Sequence, residues 1–217
     1  MDHYPPTMTD VSETSDVDRA ARRRRRLIEL SNAVIAFSIT LLVLNVTVPA
    51  LRSGQSLADA VGDLGPEMFA WLLSFVVIAF EWHEHDEVFD EIVGADAAVT
   101  AANFAFLALI ATLPFTSDLL GRYGGETLAT VLYAANIAAL IACLLLVEVA
   151  ADRRGLRREG AGRVGGYDVW VPLVCFAASI PVAFANPTIA KFVWALSLTA
   201  EPMELLATRR STRPSEA

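Results

Sequence analysis

The sequence predicts an all-α integral membrane protein of six transmembrane helices with both ends on the cytoplasmic side. Three observations carry that prediction. The chain is 54% hydrophobic with mean hydropathy +0.46, above the roughly 45 to 50% apolar share of ordinary globular domains. Its charges gather between apolar blocks of membrane-spanning length. Its arginines recur at alternate connections, the signature that fixes orientation in a bilayer.

Residues 1–21 read as a disordered acidic tail, since they combine Pro5, Pro6, Ser, Thr and several acids without apolar periodicity. The charge then inverts. Arg22 to Arg26 precede an apolar stretch over residues 27–50, which is too long for the core of a signal peptide and is expected to remain as a first helix. A polar connection over 52–65 leads to a second span at 66–82, with Pro66 suited to a first turn. The acid-rich stretch 81–96 reads as a loop, and a third span follows at 97–115, closed by Leu113-Pro114. A glycine-bearing turn at 116–127, a fourth span at 128–150, a loop at 152–167, a fifth span at 169–184 and a sixth at 188–207 complete the chain. The division is therefore a tail at 1–21, a six-helix domain at 22–207 and a cytoplasmic tail at 208–217. Six spans of about 20 residues use roughly 120 positions and leave no room for a large extramembrane domain.

Basic residues in the N-terminal run, in the fourth-to-fifth connection and in the C-terminal tail all fall on one side if there are six spans. The expected location is a cell membrane, with both ends on the cytoplasmic side. The net charge of −8 comes largely from the tail and one loop and does not point to a nucleic-acid partner. Cys143 and Cys175 lie inside apolar runs and read as small buried hydrophobes. No phosphate loop, catalytic triad or zinc spacing appears, so no enzyme and no resident cofactor or metal is expected. Glu81, His83, His85, Asp86, Asp90 and Glu91 are of metal-ligating types. Histidines two residues apart on a helix nevertheless point about 200° apart, and a solvated acidic loop is the expected reading. Glu148 is expected to reach the interface or pair with Arg153 or Arg154, and Glu201 and Glu204 to be interfacial.

The first helix holds the most specific pattern. At about 100° per residue, Leu30, Val34, Phe37, Leu41, Leu44 and Val48 form a stripe roughly 80° wide, flanked by Thr40 and Thr47. A seam of this spacing serves helix packing. Around an axis formed by copies of the helix, it would instead supply rings of apolar constrictions that gate by dewetting. The threonine hydroxyls can offer oxygens to a cation or bond back to their own helix.

Residues 26–49, RLIELSNAVIAFSITLLVLNVTVP, resemble the first helix of the endosomal/lysosomal potassium-channel family of transmembrane protein 175 type, in its bacterial branch. That family shows Arg, three residues, Phe-Ser-Asp, then an apolar stretch ending in Thr-Leu-Leu and Val-Pro. The likeness continues in SFVVIAFEWHEHDEVF (74–89) and NFAFLALIATLPFTSDLLGRYG (103–124), so that about 26–150 is covered. The resemblance implies a potassium-permeable homotetramer with the first helix lining a central pore. It implies constrictions at Phe37, Leu41 and Leu44 and a selectivity role for Thr40. Its partners would be copies of itself, the lipid bilayer and permeant potassium ions. Arg26, Leu30, Ser31 and Asn32 stand at the motif, with Trp82, His85 and Asn103 as expected packing partners for Ser31 and Asn32. Here Leu30-Ser31-Asn32 replaces Phe-Ser-Asp, which removes a ring and a negative charge. Phe37 stands where a smaller aliphatic residue is usual.

Overall fold

A computed structural model describes residues 8–47 and 50–197, with side chains for 18–47, 50–166 and 169–194. Among the described residues the named elements are all helical: α1 (Met8–Leu42), a 3-10 turn (Val43–Asn45), α2 (Leu57–Gly62), α3 (Gly65–Glu91), α4 (Ala97–Tyr123), α5 (Thr127–Arg153), α6 (Tyr167–Ala185) and α7 (Pro187–Ser197). Helices successive in sequence lie against each other from α3 to α7, and α1 packs on α3 and α4. Among the described residues, four segments are long and apolar enough to cross a membrane: Asp18–Asn45, Gly65–Glu91, Ala97–Tyr123 and Thr127–Arg153. Val169–Ala185 is apolar but shorter.

Local chemistry sets the helix starts. Ser56 caps α2 by accepting from the Asp59 amide at 3.2 Å. Asp96 caps α4 by accepting from the amides of Ala98 and Val99, each at 2.9 Å. Pro66 occupies the first turn of α3, where its missing N–H is no loss. Asn186 accepts from the amides of Thr188 and Ile189 at 2.9 and 3.2 Å and so restarts the chain as α7.

The main core joins α1, α3, α4, α5, α6 and α7 around Ile35, Ile78, Phe106, Ile110, Tyr133 and Trp194. A second cluster at the arginine-bearing end gathers Leu27, Phe89, Ile92, Val99, Val147 and Ala151. Buried hydroxyls cross the main core without breaking it. Ser74 donates to Ser117 at 2.8 Å and lies 3.0 Å from the Tyr133 hydroxyl, while Ser117 donates to the Ala70 carbonyl at 3.1 Å. Polar groups that meet in this way escape the penalty of burial without partners.

Several boundaries differ from those expected from hydropathy. Helix α1 begins at Met8 instead of after a disordered tail ending at residue 21. Arginine and alanine are strong helix formers, and Asp18 precedes Arg22 at the favourable i,i+4 spacing. The same helix stops at Leu42 and tightens into the 3-10 turn instead of running to residue 50. Valines and threonine fill that stretch, and Pro49 disfavours helix before it. Helix α3 continues to Glu91 through the acid-rich segment read as a loop, because His85 and Phe89 keep burying one face. Helix α4 passes through Pro114 to Tyr123, absorbing most of the expected turn. Leu120 and Ser117 are buried beyond the proline, and the Asn45 side chain donates to the Pro114 carbonyl at 2.7 Å. Residues 198–207 of the sixth span, with Glu201 and Glu204, and the tail 208–217 lie outside the described residues.

Candidate functional site

Helix α1 has two faces of different character. Leu27, Ser31, Ile35, Ser38 and Leu42 recur every three or four residues and are buried against the subunit. About 100° round the helix, Leu30, Phe37 and Leu44 point away from the subunit, Phe37 being 65% and Leu44 68% exposed. Thr40 is exposed beside them, and Val34 and Leu41 are half-buried at the edge of the same stripe. The even spacing extends only as far as the α-helix: Leu44 rides on the 3-10 turn, and Val48 lies outside the described residues. Only 28% of the apolar window of this span is buried by its own subunit, the same share as in α3, against 56% for α5. The uncovered apolar surface of α1 therefore calls for lipid or a second protein surface.

The Thr40 hydroxyl donates to the Phe37 carbonyl at 2.7 Å. It is bonded to its own helix in this conformation, and a side-chain rotation would be needed to turn it outward.

Behind the stripe, the expected packing residues come together. Asn103 on α4 donates through Nδ2 to Ser31 Oγ of α1 at 3.0 Å, and its Oδ1 lies 3.0 Å from His85 Nε2 of α3. Ser31, His85 and Asn103 are all buried. The imidazole stacks between Phe89, 4.4 Å centroid to centroid, and Phe106 at 5.2 Å. One amide thus ties three helices at the level of the motif. Asn32 takes a separate partner, accepting from Trp82 Nε1 at 3.1 Å on the exposed side. His83 points outward, to Glu87 at 3.4 Å. His83 and His85 thus diverge, and no group of three or more potential metal ligands forms among the described residues.

Two further contacts were not legible in the sequence. Arg24, not Arg26, is the member of the arginine run that reaches α3: its guanidinium donates to the Phe89 carbonyl, with Nε at 2.9 Å, and lies 3.6 Å from Asp90. Arg26 is exposed. Glu148 pairs with Arg157 at 3.1 Å, in place of Arg153 or Arg154. Arg157 also meets Glu91, whose other oxygen accepts from the Gly162 amide at 2.9 Å, while Glu148 accepts from the Gly165 amide at 3.0 Å. Arg154 turns to Asp96 at 3.4 Å instead. The loop after α5 is thereby strapped across α3 and α5. A single antiparallel bridge between Ile92 and Arg157 registers it. The spacing of acids and arginines suggested pairing, but a folded-back loop decides which pairs form. Cys143 and Cys175 are free thiols, half-buried in their helices.

A bundle in which four described helices have spanning length and large apolar side chains are exposed along them is that of a polytopic integral membrane protein. Residues 26–114 match the family model described as Endosomal/lysosomal potassium channel TMEM175. A potassium channel of Streptomyces collinus is 31% identical over 125 residues, 58% of this chain and 58% of that one. The human endosomal/lysosomal proton channel TMEM175 is 23% identical over 199 residues, 84% of this chain and 38% of its own length. The chain thus spans 58% and 38% of the length of these two relatives. A crystal structure of a lysosomal potassium-selective channel TMEM175 homolog from Chamaesiphon minutus superposes with a TM-score of 0.71 at 23% identity, covering 84% of this chain and 98% of that one. That likeness is one of fold.

Proposed function

We propose that the protein is a potassium-permeable leak channel, assembled as a homotetramer whose first helix lines a central pore. The observation that carries this reading is the apolar stripe of α1, left uncovered by its own subunit while the neighbouring face of the same helix is buried. Four copies of such a stripe around an axis would stack rings of Phe37, Leu41 and Leu44, and rings of this kind gate by excluding water. Thr40, beside the stripe, is the candidate for selectivity once its hydroxyl leaves the Phe37 carbonyl. The Ser31, Asn103 and His85 junction would hold α1 at a fixed height against α3 and α4. In this reading α6 and α7 make the fifth and sixth crossings, and both termini face the cytoplasm of a bacterial cell.

Purified protein in liposomes is expected to pass potassium down its gradient, and Leu41→Ala is expected to change that flux. Absence of flux under every potassium gradient sinks the proposal. Flux of protons without potassium reassigns the permeant ion. A second reading, a non-conducting scaffold that keeps the fold, is favoured by Phe37, because four outward phenyl rings can fill a narrow axis. Under that reading the double variant Leu30→Phe with Asn32→Asp, which rebuilds the family motif, stays silent in the same liposomes.

A further inference from the structure

At the end of the bundle opposite the arginine run, where α3 begins and α4 finishes, an open cavity of about 360 Å³ is lined by Pro66, Phe69, Leu120, Arg122, Gly124 and Lys191 among others. Lys191 is the only lysine of the chain. It stands one turn into α7, whose neighbouring residues Ile189 and Phe192 are exposed apolar side chains. A Cβ at position 124 would lie 2.5 Å from the Leu120 carbonyl oxygen and 2.8 Å from the Lys191 ammonium nitrogen, so the ammonium sits close against Gly124 at the carbonyl end of α4. Gly121 likewise lets α3 approach, since a Cβ at that position would lie 3.1 Å from the Glu67 Cα. Arg122 gives its Nε to Asp118 at 2.7 Å, and its guanidinium carries further donors. Lys191 has no acidic partner among the described residues. The first turn of α3 opens on the same space through Pro66 and also carries Glu67, whose Oε2 is buried with no hydrogen-bond partner beside Gly121, so Lys191 and Arg122 alone supply the positive charge.

An ammonium set among lipid-facing apolar residues is costly unless an anion meets it. The hollow is lined by two cations, Lys191 and Arg122, and by the exposed Phe69, and the exposed Phe192 follows Lys191 in α7. Charged oxygens joined to an apolar tail match both parts. Free phosphate matches only the cations.

We propose that this hollow binds the phosphate of a membrane phospholipid, held by Lys191 and Arg122, with an acyl chain lying along Phe69 and Phe192. The site is independent of conduction and serves equally on a scaffold. The test is native mass spectrometry of the full chain released from detergent with phosphatidylglycerol, or with a diacylglycerol of the same acyl chains. Phosphatidylglycerol should stay bound where diacylglycerol does not. Lys191→Ala should weaken retention about tenfold or more, as expected for loss of one charge-assisted hydrogen bond, and Lys191→Arg should keep it. Equal retention by wild type and Lys191→Ala overturns the site. Displacement of phosphatidylglycerol by millimolar inorganic phosphate overturns the lipid assignment in favour of a free-anion site. Lower thermal stability of Lys191→Ala with unchanged lipid retention means that Lys191 only caps the carbonyl end of α4, which also overturns the proposal. Potassium flux is not read, so failure here leaves the channel proposal standing.

Discussion

Both ends of the Asn103 amide are engaged inside the bundle, one with Ser31 of α1 and the other with His85 of α3. Truncation to alanine leaves a buried imidazole nitrogen and a buried hydroxyl without their partner. Asn103→Ala is expected to cost about 1 to 3 kcal/mol, read as a lower unfolding midpoint in detergent. Trp82→Phe removes only an exposed hydrogen bond to Asn32 and should shift that midpoint far less. Arg157 is the more severe case, because its side chain is 8% exposed and faces both Glu91 and Glu148. Arg157→Met takes the guanidinium from the buried Glu148 carboxylate, which keeps the Gly165 amide, and should destabilise by up to about 3 to 5 kcal/mol. An unchanged midpoint would show that the strap contributes nothing. Ser31, His85 and Asn103 were legible because the motif singled them out. Arg24 was not, since five consecutive arginines look alike until the phase of the helix decides which one turns inward.

Among the helices, α1 separates stability from function most cleanly. Leu42 is fully buried in the main core, so Leu42→Ala should cost about 2 to 5 kcal/mol of subunit stability. Phe37 is largely exposed in the subunit, so Phe37→Ala should barely change the unfolding of the isolated subunit. The same change should alter potassium flux if the stripe lines a pore. A large loss of stability from Phe37→Ala together with unchanged flux would place the stripe in ordinary packing. The apolar stripe and the existence of α1, α3, α4 and α5 followed directly from hydropathy. Their ends did not. The last turns of α3 are acid-rich on the outside and depend on His85 and Phe89 facing inward, and α4 survives Pro114 because tertiary contacts on both sides hold it. Hydropathy averages over a window and cannot see a one-sided burial of this kind.

Over the whole molecule, the end that carries the arginines is cross-linked far more densely by polar contacts than sequence patterning suggests. The Ala95 amide donates to the Ala20 carbonyl at 3.1 Å, the Val93 amide to the Leu156 carbonyl at 2.8 Å, and Arg154 reaches Asp96. These contacts join residues distant in the chain, and only the folded arrangement of α1, the 92–96 linker and the loop after α5 brings them together. Gly94 sits at the centre, where a Cβ would come within 2.9 Å of the Ala20 Cβ. Neither side can yield by rotating a flexible chain. Gly94→Ala should therefore lower the unfolding midpoint, and adding Ala20→Gly should restore much of the loss. Failure of the second change to rescue the first would remove steric contact as the cause.

That fit between Ala20 and Gly94 acts as a key in a keyway. A helix seated in this way cannot roll about its long axis at its lower end without lifting out of the notch. Opening by a rigid turn of α1 would have to break the seat, whereas bending above Ser31, where the α-helix gives way to a 3-10 turn after Leu42, leaves it intact. The expected motion of the proposed pore wall is therefore flexure of its upper half on a stationary foot.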